Sequence, residues 1–193
     1  PPFGFVIDYL TYGGLYREVW LEATAESRLI DLFVYTPTLQ EAVVQWTAEL
    51  TPAAAAVRIR LETAEGTLLA EQTAPAAETG KIQLSVPEAQ PWDTEHPVLH
   101  HATAELLNAA GQPIDRKQVT FGFRTAEFKA DGFYLNGKKT FLRGLNRHQS
   151  YPYIGYAAPE SLQREDARIL QEELHCTAVR TSHYPQSQYF LDE

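Results

Sequence analysis

FYLNGKKTFLRGLNRHQ, residues 133–149, is the stretch on which the reading of this chain turns. Its first half is a hairpin, with Phe133-Tyr134-Leu135 and Thr140-Phe141-Leu142 flanking Asn136-Gly137-Lys138-Lys139. Asn-Gly is the strongest short turn signal, because both central residues of the favoured turn take positive φ. Its second half is a strand that ends near Leu145 and runs out into Asn146-Arg147-His148-Gln149. Beyond it the period becomes helical from Pro159 to Leu174: Leu162, Ile169, Leu170 and Leu174 share one face, with Glu, Gln and Arg on the other. Pro159 suits the first helical turn. Thr177-Ala178-Val179 then reads as a buried strand and Gln186–Glu193 as the beginning of a second helix. Strand, helix, strand, helix implies parallel pairing with a right-handed crossover. The last third is therefore the start of an α/β unit. Two strands cannot close a barrel, which takes about eight in the common (β/α) form.

Upstream the texture is different. From Glu26 to Thr125 short runs alternate apolar and polar residues between Pro, Gly and Thr breaks. Strands are expected at Leu29–Tyr35, Ala42–Leu50, Val57–Thr63, Lys81–Val86, Val98–Leu107 and Gln118–Arg124, with Thr67–Glu71 a short seventh. Period-two strands at this spacing predict an antiparallel sandwich of immunoglobulin or fibronectin type, without the paired Cys of antibody domains. Ahead of it, Gly13-Gly14 leads into Tyr16–Leu21, read as the last strand of something upstream.

Composition narrows the partners. A net charge of −9 argues against nucleic acid, whose binding needs clustered Lys and Arg. Nothing resembles a signal peptide or an apolar run long enough for a bilayer, so no membrane partner is expected. The chain opens on Pro1-Pro2, contains no Met and stops at Leu191-Asp192-Glu193 inside a helical pattern. Both ends read as cuts in a longer, soluble protein, with nothing to separate bacterial cytoplasm from periplasm or secretion. Cys176, the single cysteine, reads as a small buried hydrophobe.

In parallel α/β folds the ligand sits beyond the carboxyl ends of the strands. Asn146–Gln149 and Arg180-Thr181-Ser182-His183-Tyr184-Pro185 fall at that same end, each supplying an Arg and a His. Imidazoles donate to sugar hydroxyls, and an Arg holds a neighbouring carboxylate ionised. The plain alternative is a set of loop polars capping helix ends. For Arg147 and Gln149 the two readings stand level; for His148, Arg180 and His183 function is favoured. A metal site is rejected. His175 and Cys176 lie a strand's length from His183, His100 and His101 face opposite ways, and His96 is solvated. Ser182 beside His183 lacks the elbow of a nucleophile. Glu160, Glu165, Asp166, Glu172 and Glu173 are placed on the solvated helix face or its first turn.

Phe133–His148 and Ala178–Pro185 (AVRTSHYP) resemble the opening of the catalytic barrel in glycoside hydrolase family two. Asp8–Glu22 (DYLTYGGLYREVWLE) is similar to the end of that family's jelly roll, Pro91–Leu107 to a "P-W…P-x-L" stretch of its middle sandwich, and Phe121–Thr125 to the "GFR" exit. The resemblance implies residues 1–25 as the last strand of an N-terminal sugar-binding jelly roll. It implies 26–125 as the immunoglobulin-like β-sandwich and 126–193 as the N-terminal part of the (β/α)8 barrel. The fold class is thus mainly β, a sandwich followed by an incomplete barrel start. Such enzymes cleave β-linked sugars with retention, using two Glu on later barrel strands. Neither is expected here, so no catalytic residue is assigned and the segment alone is expected to be inactive. What carries over is substrate binding. Asp8 matches an Asp that reaches the sugar hydroxyls and in some members touches sodium. His148 and His183 match sugar-binding histidines, Arg180 matches the Arg that supports the nucleophile, and Asn146 joins them. Asn146–Gln149 and Tyr151–Ala157 resemble β-galactosidases, which implies terminal β-D-galactosides. The alternatives are a β-glucuronidase of the same family or a non-catalytic spacer or carbohydrate-binding sandwich. The resemblance implies no cofactor for this segment, leaves Na+ or Mg2+ open for the parent enzyme, and leaves room for a homo-oligomer.

Overall fold

The computed structural model describes residues 13–193, which divide into two compact units: Glu22–Thr140, and the described residues up to Leu21 together with Phe141–Glu193. The first holds seven strands of a sandwich: β1 (Arg28–Thr38), β2 (Glu41–Glu49), β3 (Ala56–Thr63), β4 (Leu68–Pro75), β5 (Thr79–Ser85), β6 (His100–Leu107) and β7 (Pro113–Phe121). One antiparallel sheet runs in the order β1-β2-β5 and the other β4-β3-β6-β7.

Alternation builds the core between them. Ala42, Val44, Trp46 and Ala48 on β2, Val57, Ile59 and Leu61 on β3, and Ala102, Ala104 and Leu106 on β6 all turn inward and are buried, and Phe123 joins them. Each fully buried Ile, Leu or Val contributes about 1.5–3 kcal/mol relative to exposure. His100 belongs to this interior, with its ring 4.9 Å from Phe123, whereas His101 faces the other way and meets the Thr120 hydroxyl at 3.2 Å.

All seven expected sandwich strands are present, with shifted ends. β7 begins at Pro113, five residues ahead of its expected start. Its early side chains are polar because Asp115 and Lys117 serve the backbone of β1. Asp115 accepts from the Leu29 amide at 2.6 Å, and Lys117 donates to the Ile30 carbonyl at 2.6 Å. A leading Pro costs no ladder bond on the free side of an edge strand.

After the sandwich, β8 (Ala126–Lys129), β9 (Gly132–Leu135) and β10 (Lys138–Lys139) form a small antiparallel sheet. Asn136 (φ 53°) and Gly137 (φ 75°) make the turn with the positive angles that Asn-Gly predicts. The second arm lies at Lys138–Lys139, inside the stretch read as the turn, and not at Thr140–Leu142, and β8 carried no sequence signal. Asn136 ties this sheet to the sandwich: its side chain donates to the Trp92 carbonyl at 2.9 Å and accepts from the Thr125 amide at 3.0 Å.

In the second unit β11 (Gly144–Asn146) pairs in parallel with β12 (Ala178–Arg180), with Gly144 opposite Ala178 and Asn146 opposite Arg180. Between them lies α1 (Glu160–Arg168), entered through Pro159 as expected. The continuous helix read to Leu174 instead widens into a π-helical turn over Ile169–Glu173, closed by Leu174 N–H on Ile169 O at 3.0 Å and ended by His175 at φ 52°. α2 (Gln188–Asp192) follows β12. Phe141, Leu142 and Leu145 around β11 are exposed. Tyr16–Leu21, read as a strand, forms none among the described residues: it has no ladder partner there, and Val19, Trp20 and Leu21 stand in solvent. No helix among the described residues is long and apolar enough to cross a membrane.

Candidate functional site

The parallel pairing brings the two polar clusters to one end. Arg147 N–H continues the ladder to Arg180 O at 2.9 Å, and from there the period of two sorts the side chains. Asn146 and His148 are exposed, whereas Arg147 (5 % exposed) and Gln149 (fully buried) point into the unit. The second loop does not alternate: Arg180, Thr181 and His183 are exposed and Ser182 is buried, with Arg180 Nη1 donating to Ser182 Oγ at 2.8 Å.

On the open side the His148 and His183 rings meet edge to face, 5.6 Å apart at 81°. Tyr184 stands beside them, its hydroxyl 3.4 Å from His148 Nδ1 and accepting from the Gln149 amide at 3.0 Å. Asn146 and Arg180 are register partners on the two strand ends. Four of the five residues singled out in the sequence therefore share one strand end. The fifth, Asp8, lies outside the described residues.

The loops supply N–H and O–H donors and no carboxylate: neither 146–149 nor 180–187 contains Asp or Glu. Donors of this kind suit a polyhydroxylated ligand. Among the described residues no three of His, Cys, Asp and Glu converge on a common point.

Known proteins resemble the chain along its length. Residues 27–124 match the model of glycosyl hydrolases family 2, and residues 126–193 match the TIM barrel domain of the same family. The chain belongs to glycosyl hydrolase family 2. The first match covers β1–β7 and the second starts at β8, where the sandwich gives way to the small sheet. Among relatives in family 2, the chain is 37% identical to a β-galactosidase of Thermoanaerobacter pseudethanolicus and 38% identical to one of Thermoanaerobacterium thermosulfurigenes. Both matches take in 100% of this chain but only 27% and 28% of those proteins. The apo structure of Bacteroides uniformis β-glucuronidase 3 superposes with a TM-score of 0.83 at 28% identity, over 96% of this chain and 24% of that one. A family 2 sandwich followed by the start of its TIM barrel is thus what the periodicity and the motifs implied.

Behind the exposed histidines lies a layer that sequence reasoning missed. Asp166, placed on the solvated face of α1, accepts from Arg147 Nη2 at 2.7 Å and Nε at 2.9 Å, and also bonds the Tyr151 hydroxyl. Burial first, and then the bond to Asp166, push the Tyr151 phenol up to about 12. Arg17, from the segment read as a strand, donates to Gln149 Oε1 at 2.6 Å and to Tyr156 O at 3.1 Å. The alternation would have given the inward turn of Arg147 and Gln149. Nothing in the sequence marks Arg17.

Proposed function

We propose that the whole protein carrying this chain is a retaining β-glycosidase that hydrolyses terminal β-D-galactosides, and that this chain supplies its sandwich and the first two strands of its sugar-binding barrel end. The observation that carries the reading is the edge-to-face pair of His148 and His183 at the carboxyl ends of β11 and β12, beside exposed Arg180 and Asn146. Similarity to two proteins named β-galactosidase along the entire chain supports galactose.

In this reading the imidazoles and Asn146 bind hydroxyls of the sugar, and Asp8 is a further sugar-binding residue. Arg180 holds the nucleophilic carboxylate ionised. The acid/base and the nucleophile, two Glu with carboxyl groups about 5–5.5 Å apart, come from later barrel strands outside this chain. Carbohydrate is the partner, and neither nucleic acid nor membrane is.

A second reading, β-glucuronidase of the same family, is favoured by the superposition on Bacteroides uniformis β-glucuronidase 3. Whole protein assayed on aryl β-D-galactoside and aryl β-D-glucuronide separates them. Faster turnover of the galactoside is expected, and preference for the glucuronide would replace the first reading with the second. The 193-residue chain alone is expected to release no aglycone from either.

A further inference from the structure

We propose that Arg147 is a positioning residue: from behind the site, its buried guanidinium joins the loop of His148 to the loop of His183 and so sets the relation of the two imidazoles. The proposal rests on the sugar-binding reading of those histidines.

The guanidinium is shared between elements. It donates to α1 through Asp166 and through Gln163 Oε1 at 2.8 Å, to the first loop through the Tyr151 hydroxyl at 3.1 Å, and to the second loop through Gln186 Oε1 at 2.5 Å. The Phe190 ring of α2 lies 4.0 Å from its central carbon. An anchor for α1 alone would need only Asp166.

The contact with Gln186 has another consequence. Gln186 Nε2 donates to Tyr184 O at 3.2 Å, and Tyr184 is the residue whose hydroxyl meets both the Gln149 amide and His148 Nδ1. Gln149 Nε2 adds a bond to Pro185 O at 3.3 Å. Arg147, Gln186, Tyr184 and His148 thus close a ring of contacts through both loops, with His183 next to Tyr184 in the chain. Only a planar, always charged fork with five donors can serve these acceptors together; a Lys offers one compact charge and cannot.

Three variants of the whole protein test this: Gln186→Met, which leaves the Arg147–Asp166 pair in place, Arg147→Lys, and Arg168→Ala on the exposed face of α1 as control. Gln186→Met is expected to fold and to unfold cooperatively at a somewhat lower temperature than the wild type, because Arg147 Nη1 loses its acceptor. Its kcat on the aryl β-galactoside should fall about 10- to 100-fold, with KM changed less than about threefold. Arg147→Lys should lose at least as much, and Arg168→Ala should lose nothing.

The imidazole proton resonances of His148 and His183 in ligand-free protein give a second readout, and they are expected to move in Gln186→Met. If the wild type cleaves no glycoside, the functional reading fails while the histidine resonances still test the positioning. A folded Gln186→Met protein with wild-type kcat, or with unmoved His148 and His183 resonances, overturns the proposal. Should Arg147→Lys fail to fold, Gln186→Met decides alone.

Discussion

A Cβ on Gly144 would lie 2.0 Å from the carbonyl oxygen of Ala178, the residue it faces across the parallel pair of β11 and β12. No side chain fits there unless the strands part, and two residues further along they carry Asn146 and Arg180. Gly144→Ala should therefore cost about 1–3 kcal/mol of stability and raise KM for the aryl β-galactoside. Urea unfolding and steady-state kinetics on the same preparation check both halves.

The pair of Arg147 and Asp166 is unequal in burial, with side chains 4% and 26% exposed. Truncating Asp166 to Ala strands a cation inside the unit and is expected to cost about 3–5 kcal/mol. Arg147→Met removes the cation itself. The double variant should therefore be less destabilised than the two single losses added together. Urea midpoints of the four proteins supply the cycle, and strict additivity would contradict coupling through this pair.

Exposed ion pairs should behave otherwise. Arg168, the last residue of α1, donates to Glu165 of the same helix and to Glu172 and Glu173 of the π-helical turn. Such contacts sit in water and are screened, so Arg168→Ala is expected to shift stability by less than about 1 kcal/mol, and by less still in high salt. Unfolding midpoints at two salt concentrations measure it.

His100 gives the sandwich an acid-side weakness. Its ring is buried against Phe121 and Phe123, and burial lowers its pKa from the usual 6.5. Above 6.5 folded and unfolded chains are both neutral at this position, and its contribution does not vary with pH. As pH falls below 6.5 the unfolded chain binds the proton first, so stability declines until the folded form also titrates. His100→Phe, which keeps an aromatic ring among aromatics, should flatten that decline. Urea midpoints at pH 7.5 and 5.5 compare the two proteins, and an unchanged slope in the variant would assign the weakness elsewhere.

Period-two alternation made the sandwich legible, because most strands turn an apolar face inward and a wetter one outward, whereas β6 is buried on both faces. It faded on β7, where inward positions are filled by Asp115 and Lys117 serving the β1 backbone, and on β8, four residues that are all exposed. The α/β start was legible from the change of period and from Asn136-Gly137. The π-helical turn was not, since Ile169–Glu173 carries ordinary helix formers. At the candidate site the open face was readable because chemistry-bearing residues sit at strand ends. Its support was not, because Asp166 and Arg17 find their partners 19 and 132 residues away in the chain.

The alternation through Asn146–Gln149 also bears on how such a site can change. Two of the four side chains face outward, where on the sugar-binding reading a ligand meets them, and two face inward, where several elements depend on them. Adjacent codons thus answer to different masters. The outward pair can be exchanged to suit another sugar while the inward pair holds the loops still. A single inserted residue would reverse the roles at once, sending an imidazole into the packing and a guanidinium into the ligand's space. Substitution here is the gradual road to a new specificity, and insertion is a cliff.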